Sequence, residues 1–221
     1  MNMTIVAATG RIGRQVVDQA LAAGHQVTAV ARNPVGFPPG VRTVRVDLAA
    51  PRAADLQAAL EGADAVISGL GPRSRKEAGI TSKGTRAVVE AMKETGVRRI
   101  VIVSAAPVST TASPGRPDPP RHDPGEGFIM RHVLTPFIKV VLRAHYDDLA
   151  RTEDLLRDSG LDWTVVRPPQ LKDTPVSGTY RTALERNLPG GASVGRADVA
   201  HFMLAVLDRP DTIGYAFGIA S

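Results

Sequence analysis

The stretch Ala7-Ala8-Thr9-Gly10-Arg11-Ile12-Gly13 decides the fold of this chain. An apolar run, Met3 to Val6, comes before it, and an amphipathic run, Gln15 to Ala22, comes after it. The pattern predicts a strand, a tight glycine turn and a helix. The N-terminus of such a helix attracts a phosphate group, because its backbone N–H groups and its dipole both favour negative charge.

The two glycines of this turn have separate physical roles. Gly10 lets the backbone approach a pyrophosphate, and Gly13 lets the helix pack closely on the strand. The first glycine of the usual dinucleotide-binding pattern is replaced by Ala7, and we expect a slightly wider turn to accommodate it. A tight turn that binds no ligand is the alternative interpretation. The cofactor contacts predicted in this stretch are Thr9, Gly10, Arg11, Ile12 and Gly13.

Strands alternate with helices through the first half of the chain. The predicted strands are 3–8, 26–31, 41–46, 64–68 and 99–104, and the predicted helices are 12–22, 53–60 and 81–95, the last capped by Thr81. This alternation predicts an α/β fold: a single Rossmann-type domain over residues 1–221, with a doubly wound, mainly parallel sheet and helices on both faces. Ligands of such a sheet lie beyond the carboxyl ends of its strands.

The second half is less regular. Residues 107–144 are predicted to form a substrate-side loop or lid inserted into the domain, and residues 128–142 within them to form two short helices or one helix kinked at Pro136. For residues 128–142 a helix packed on the sheet edge is favoured, followed by a substrate lid or a dimer surface and, last, a membrane-surface helix. A homodimer is therefore one of the arrangements that the sequence leaves open. Further predicted elements are helices 145–158 and 197–207 and strands 162–167, 178–184 and 215–219.

Composition excludes several classes of function. The chain has no cysteine, so thiolate catalysis and cysteine-bound zinc are excluded, and its histidines have no metal-ligand spacing. The formal net charge of +5 comes from scattered basic residues, and we expect no nucleic-acid partner. No apolar run reaches the roughly 18 residues of a membrane span. Because the first strand starts beside Met1, we expect a cytoplasmic protein without a leader peptide.

The end of the second strand predicts which dinucleotide is bound. NAD-selective sites commonly place an acidic residue there to bind the ribose 2′-hydroxyl. Here the position holds Arg32, which can form a charge-assisted pair with a 2′-phosphate. The sequence therefore favours NADP(H), with a surface arginine as the alternative interpretation.

Residues at later strand ends complete the predicted cofactor site. Asp47 and Leu48 follow the third strand, where they could contact an adenine, although a simple turn aspartate is an equal alternative. Leu70, Gly71 and Arg73 follow the fourth strand and are predicted to flank the ribose and pyrophosphate.

The catalytic prediction is less specific. Ser104 ends the fifth strand, next to the expected nicotinamide, and is predicted both to bind the cofactor and to act in catalysis. No tyrosine is followed four residues later by lysine, so the usual pair of short-chain dehydrogenases is absent, and the chain has neither a Gly-x-Ser-x-Gly nor a Walker motif.

The chain resembles the atypical short-chain dehydrogenase/reductase group, which includes NmrA-like proteins and NADPH-dependent flavin (biliverdin-IXβ) reductases. The likeness rests on the glycine turn, Ala31-Arg32, the run from Ser159 to Pro169 and Ala200-His201-Phe202-Met203-Leu204. Toward the flavin reductases it covers nearly the whole chain and is interrupted mainly at 107–144.

The resemblance implies NADP bound at the glycine turn and Arg32, with Ser104 near the nicotinamide. It also places Pro168 at the cofactor, and Gln170 where the flavin reductases carry an active-site histidine. Because glutamine cannot supply a proton near neutral pH, we expect Gln170 to orient the rings only. The implied function is hydride transfer from NADPH to a small, flat acceptor such as a flavin or quinone. A non-catalytic NmrA-like sensor of NADP(H) is the alternative.

Overall fold

The structure is a computed structural model that describes residues 1–72, 74, 77–125 and 142–221. Among these residues, eight strands form one sheet in the order β3-β2-β1-β4-β5-β6-β10-β8. All neighbouring strands are parallel except β8, which runs antiparallel to β10. The sheet strands are β1 Asn2–Val6, β2 Gln26–Ala31, β3 Arg42–Arg45, β4 Ala65–Ser68, β5 Arg99–Val103, β6 Asp162–Arg167, β8 Arg181–Leu184 and β10 Tyr215–Ala220.

Helices cover both faces of the sheet, which confirms the predicted doubly wound α/β fold. The described α-helices are α1 Arg11–Ala22, α2 Ala53–Leu60, α3 Ile80–Thr95, α4 Arg143–Arg157 and α5 Arg196–Ala205. Helices α1 and α5 pack together on one face, and α2, α3 and α4 on the other. Each face of the sheet has its own apolar core. Because strand side chains alternate, Val101 and Val103 of β5 pack in the core beside α1 and α5, while Ile100 and Ile102 pack in the core beside α2 and α3.

Two short strands and a 3-10 turn lie where the sequence predicted no regular structure. β7 (Gln170–Lys172) and β9 (Ser193–Gly195) pair in parallel outside the main sheet. Residues Ala106–Thr110 form a 3-10 helix directly after β5. Within the predicted insertion at 107–144, residues 126–141 lie outside the described part of the chain, and with them nearly all of the predicted helical segment 128–142 and the predicted kink at Pro136.

The glycine turn is as tight as its sequence requires, but not in the predicted way. The expected wider turn at Ala7 is wrong, since Ala7 adopts the left-handed conformation with φ 57°. Its carbonyl oxygen accepts a hydrogen bond from the Gly10 amide at 2.8 Å. A Cβ atom on Gly13 would lie 2.3 Å from the same oxygen, closer than atoms can approach. Gly13 is therefore the residue that lets α1 start directly against the end of β1.

The predicted cap of α3 is also wrong. Thr81 lies inside the helix, after the N-cap residue Gly79, whose φ is +87°. The carboxylate of Asp148 from α4 caps the helix instead, accepting from the amides of Thr81 at 2.9 Å and Ser82 at 3.2 Å and from the Ser82 hydroxyl. A residue 67 positions away in sequence satisfies these donors, which a local pattern cannot indicate.

The left-handed Ala7 gives a prediction for stability. Replacing Ala7 with glycine removes about 1–2 kcal/mol of backbone strain and costs about 0.5–1 kcal/mol of unfolded-state entropy. We expect A7G to raise the free energy of unfolding by about 0.5–1 kcal/mol, as measured by urea denaturation.

The neighbouring A8G variant is the matched control, because Ala8 is fully buried and its φ is not positive. It should lower the free energy of unfolding by about 1 kcal/mol, because a buried methyl group is lost and the unfolded chain gains conformational entropy. Equal destabilisation by both variants would contradict the strain argument.

Candidate cofactor site

A cleft of about 670 Å³ opens at the carboxyl ends of β1, β2 and β4. At β1 the order of the strands reverses: β2 and β3 follow on one side of it, and β4 and β5 on the other. Doubly wound sheets bind their ligands at this position. The predicted residues that line it are Thr9, Gly10, Arg11, Ile12, Arg32, Asp47, Leu48, Leu70 and Gly71. Residues far apart in sequence therefore meet along one groove whose volume suits a small-molecule cofactor.

The N-terminus of α1 forms one end of this cleft. Gly10 is the N-cap residue and carries no side chain to occupy the first-turn amides, and the first turn holds no acidic residue. The first turn of the helix therefore brings no negative charge that would oppose a phosphate. Gly13 lies behind the turn, where its missing Cβ allows the close packing on Ala7 and Ala8.

An unpredicted basic residue faces the same end of the cleft. Arg196, at the start of α5, lines the cleft and pairs with Asp173 at 2.7 Å, from Nη1 to Oδ1. The other carboxylate oxygen of Asp173 lies 3.5 Å from Nη1 of Arg11. One exposed carboxylate thus joins the glycine turn to α5, and two guanidinium groups lie beside the pyrophosphate end. A single arginine with no local motif gives no signal by which sequence analysis could have found it.

The opposite end of the cleft is lined by Arg32, Asp47 and Leu48. The Arg32 guanidinium pairs with the carboxylate of Glu77 at 3.0 Å. Glu77 is, after Arg196, a second charged residue of the cleft that the sequence did not indicate. Asp47 accepts a hydrogen bond from the Ala49 amide at 3.0 Å, as a turn aspartate does, while its side chain stays exposed on the cleft.

Leu48 and Leu70 form an apolar wall. Both are buried, and a Cβ on Gly84 of α3 would meet the Leu70 side chain at 2.6 Å and that of Leu48 at 3.2 Å. They are therefore core residues that show one edge to the cleft. Arg73, predicted beside them, lies outside the described residues.

Ser104, Pro168 and Gln170 are not among the residues that line the cleft. Ser104 and Pro168 are buried at the ends of β5 and β6, and the Pro168 carbonyl accepts from the Ala106 amide at 2.9 Å. Gln170 is exposed at the start of β7, and its backbone N–H donates a hydrogen bond to the Ala192 carbonyl oxygen at 3.3 Å. Their roles at the nicotinamide stay predictions.

A buried carboxylate determines what Ser104 can do. The Ser104 hydroxyl donates to Oε1 of Glu153 at 2.8 Å. Glu153 also accepts from Nε of Arg167 at 3.0 Å, from a second Arg167 nitrogen and from Arg157 at 3.0 Å. Because an ionised carboxylate only accepts hydrogen bonds, the hydroxyl proton of Ser104 is committed to it. Ser104 therefore offers lone pairs to a ligand, and not a proton.

The charge state of Glu153 follows from its surroundings. Burial by itself raises the pKa of this carboxyl group, but the Arg167 guanidinium, the hydrogen bonds from Arg167 and Ser104, and the Arg157 charge together hold the pKa below its ordinary value. Burial lowers the pKa of Arg167, but the charge and hydrogen bonds of Glu153, together with the charges of Glu185 and Asp123, outweigh burial and raise the pKa above its ordinary value. The two side chains are 1% and 2% exposed, so they form a buried, fully charged pair.

Comparison with known proteins identifies the family. A sequence profile described as NAD(P)H-binding matches residues 7–210. The chain belongs to this NAD(P)H-binding family. The cofactor class predicted from the glycine turn is thereby confirmed, and the resemblance to atypical short-chain dehydrogenases/reductases is consistent with this family.

Several solved structures share the fold over the whole chain. They include the oxidoreductase YlbE from Lactococcus lactis, with a TM-score of 0.80, 20% identity and 91% of that chain covered. A short-chain dehydrogenase/reductase from Veillonella parvula in complex with NADP has a TM-score of 0.77, 19% identity and 94% coverage. A proposed NADH-flavin reductase from Streptococcus pneumoniae has a TM-score of 0.75, 22% identity and 99% coverage. At these identities the likeness shows the fold alone.

Curated relatives share part of their sequence with this chain. An uncharacterised Bacillus subtilis sugar epimerase, YhfK, is 28% identical over 171 residues, which are 75% of this chain and 66% of that protein. The Mycobacterium tuberculosis protein Rv2047c is 27% identical over 168 residues, 76% of this chain and 14% of that protein. The chain thus covers less than two thirds of these relatives.

Two further findings concern other kinds of site. Within the described part of the chain, no helix is long and apolar enough to cross a membrane. The same residues contain no group of three or more histidine, aspartate or glutamate side chains placed to hold a metal ion.

The buried pair behind Ser104 gives a testable prediction. Replacing Glu153 with leucine leaves Arg167 charged and buried without its main partner, and we expect the free energy of unfolding to fall by about 3–5 kcal/mol. The double variant E153L/R167M removes both charges and should lose at least about 2 kcal/mol less than the single variant. Chemical denaturation measures both.

The pH dependence checks the same pair. The stability contributed by a carboxyl group with a lowered pKa is present above its unfolded-state pKa and is lost as the pH falls through its folded-state value. The gap in stability between the natural protein and E153L should therefore narrow below the ordinary glutamate range. A gap that stays constant down to the acid unfolding of the natural protein would contradict the charged pair.

Proposed function

We propose that this protein is an NADPH-dependent oxidoreductase that transfers hydride to a flat, small-molecule acceptor such as a flavin or a quinone-like compound. The single observation that carries the proposal is the cleft, with the N-terminus of α1 at one end and Arg32 at the other. A dinucleotide laid along it has its pyrophosphate at Gly10 and its adenosine 2′-position at Arg32. The bound nicotinamide supplies the hydride, and the protein supplies the binding and orientation.

The proton balance of the site supports an acceptor of this kind. The Ser104 hydroxyl donates its hydrogen bond to Glu153, and Gln170 has no acidic proton to give. These two described residues therefore serve to orient the rings, and in this proposal the acceptor takes its proton from water. Flavins and quinones exchange protons with water readily, whereas a simple ketone would need an acid beside its oxygen. The Streptococcus pneumoniae neighbour, a proposed NADH-flavin reductase, is consistent with this choice.

The second candidate function is a non-catalytic NADP(H) sensor of the NmrA-like kind. The absent tyrosine–lysine pair and the commitment of the Ser104 proton to Glu153 favour it. Such a protein binds the dinucleotide in the same cleft and passes its redox state to a protein partner. For either function we propose that the protein is cytoplasmic and forms a homodimer.

Turnover separates the two candidates. The purified protein should consume NADPH, seen as falling nicotinamide absorbance, when it is offered FMN, FAD or small quinones. Protein heated to unfolding is the control for direct reaction between NADPH and the acceptor. Tight NADP binding without turnover across the whole panel would contradict the reductase and support the sensor.

Replacing Arg32 with alanine tests the 2′-phosphate assignment. Because a charge-assisted hydrogen bond contributes about 1.5–3 kcal/mol, we expect the Kd for NADPH to rise about 10- to 100-fold and that for NADH to change less than about threefold. R42A is the matched control, because Arg42 is an exposed arginine of β3 that does not line the cleft. Equal losses for both cofactors would contradict the assignment.

A further inference from the structure

The ion pair between Arg32 and Glu77 lies at the point where the 2′-substituent of the adenosine ribose is proposed to bind. Nη1 of Arg32 is 3.0 Å from Oε1 of Glu77, and both residues line the cleft. The Arg32 side chain is 42% exposed and that of Glu77 is 21% exposed. The acid is thus the more enclosed partner, and the arginine is the one that a ligand can reach more easily. Together the two groups contribute no net charge to this end of the cleft.

A 2′-phosphate meets two opposing effects at this pair. It gains charge-assisted hydrogen bonds from the guanidinium group, but it must share that group with a carboxylate already bound to it. Its own double negative charge then lies within a few ångströms of Glu77, where solvent screening reduces the repulsion without removing it. The arginine alone favours NADPH, and the acid beside it subtracts from that preference.

A 2′-hydroxyl meets no such conflict. It can donate a hydrogen bond to the Glu77 carboxylate and accept one from the Arg32 guanidinium at the same time. NAD-selective sites use an acid for the same purpose, placed at the end of β2. Here the acid comes from the start of the α3 region, on the other side of the cleft, and the end of β2 carries the arginine.

We propose that Glu77 is a specificity-determining residue that weakens the preference for NADPH and lets the same site bind NADH. The inference rests on the proposed function, because it takes Arg32 as the residue beside the 2′-position. The opposite role for Glu77 predicts the opposite result. If Glu77 instead held Arg32 in the orientation that best binds a phosphate, removing the Glu77 charge would weaken NADPH binding.

The test is the variant Glu77→Gln, which removes the negative charge and keeps the shape of the side chain. Titration calorimetry with NADP⁺ and with NAD⁺ gives the two Kd values without any acceptor or turnover. We expect the ratio of the Kd for NAD⁺ to the Kd for NADP⁺ to rise about tenfold, since one charge repulsion at a partly screened site is of that size. An unchanged or lower ratio overturns the inference.

A matched control and a salt series exclude other causes. Glu94→Gln makes the same change of net charge on the exposed last turn of α3, and its ratio should equal that of the natural protein. At 1 M NaCl, where the Debye length is about 3 Å, the difference between Glu77→Gln and the natural protein should shrink severalfold. A difference that persists undiminished contradicts an electrostatic origin.

The Arg32→Ala variant separates the failure of this inference from that of the proposed function. If Arg32→Ala leaves the ratio of Kd values unchanged, the assignment of Arg32 to the 2′-phosphate fails, and the role of Glu77 fails with it. If Arg32→Ala lowers the ratio but Glu77→Gln does not raise it, the role of Glu77 alone fails. Thermal unfolding of each variant, compared with the natural protein, checks that the binding values come from folded protein.

Discussion

The close approach of α1 to the end of β1 is the constraint on which the site depends. The Ala7 carbonyl oxygen lies 2.3 Å from the position that a Cβ on Gly13 would take, so only glycine lets the helix begin there. The same oxygen accepts a hydrogen bond from the Gly10 amide, and Ala7 itself adopts a left-handed conformation that turns the chain. This packing directs the N-terminus of α1 into the cleft. A wider turn would move the amide groups away from the line of strand ends at which a dinucleotide lies.

Among the described residues of the cleft and its rim, the basic side chains are paired with acidic ones. Arg11 and Arg196 share Asp173, and Arg32 pairs with Glu77. An anionic cofactor therefore exchanges one set of ionic contacts for another, and the net gain depends on small differences between them. This is the physical basis of the proposal that one carboxylate at the adenosine end influences which dinucleotide is preferred.

The buried charges near the proposed nicotinamide end have a different consequence. Glu153 is held ionised by Arg167 and Arg157, and its ionised form accepts a hydrogen bond from the Ser104 hydroxyl. The group that family resemblance places near the reacting ring is thereby a hydrogen-bond acceptor. An arrangement of this kind suits binding and orientation better than proton donation, and both candidate functions share that property.

Sequence alone determined the parts of this protein that depend on local chemistry. The order of strands and helices followed from apolar periodicity, and strand β2, helix α2 and strand β6 begin and end where their patterns predicted. The glycine turn and the arginine after β2 were visible because each occupies a fixed place relative to its own strand.

Tertiary structure decided everything that rests on partners distant in the chain. Three such contacts join residues 45 to 67 positions apart, and no spacing rule connects them. They are the capping of α3 by Asp148, the ion pair of Glu77 with Arg32, and the hydrogen bond from Ser104 to Glu153. The same holds for Arg196, which reaches the cleft because α5 packs on α1. Local patterns specify where the chain turns and which face is apolar, whereas the hydrogen-bonding state of a buried side chain is fixed only when folding brings its partner to it.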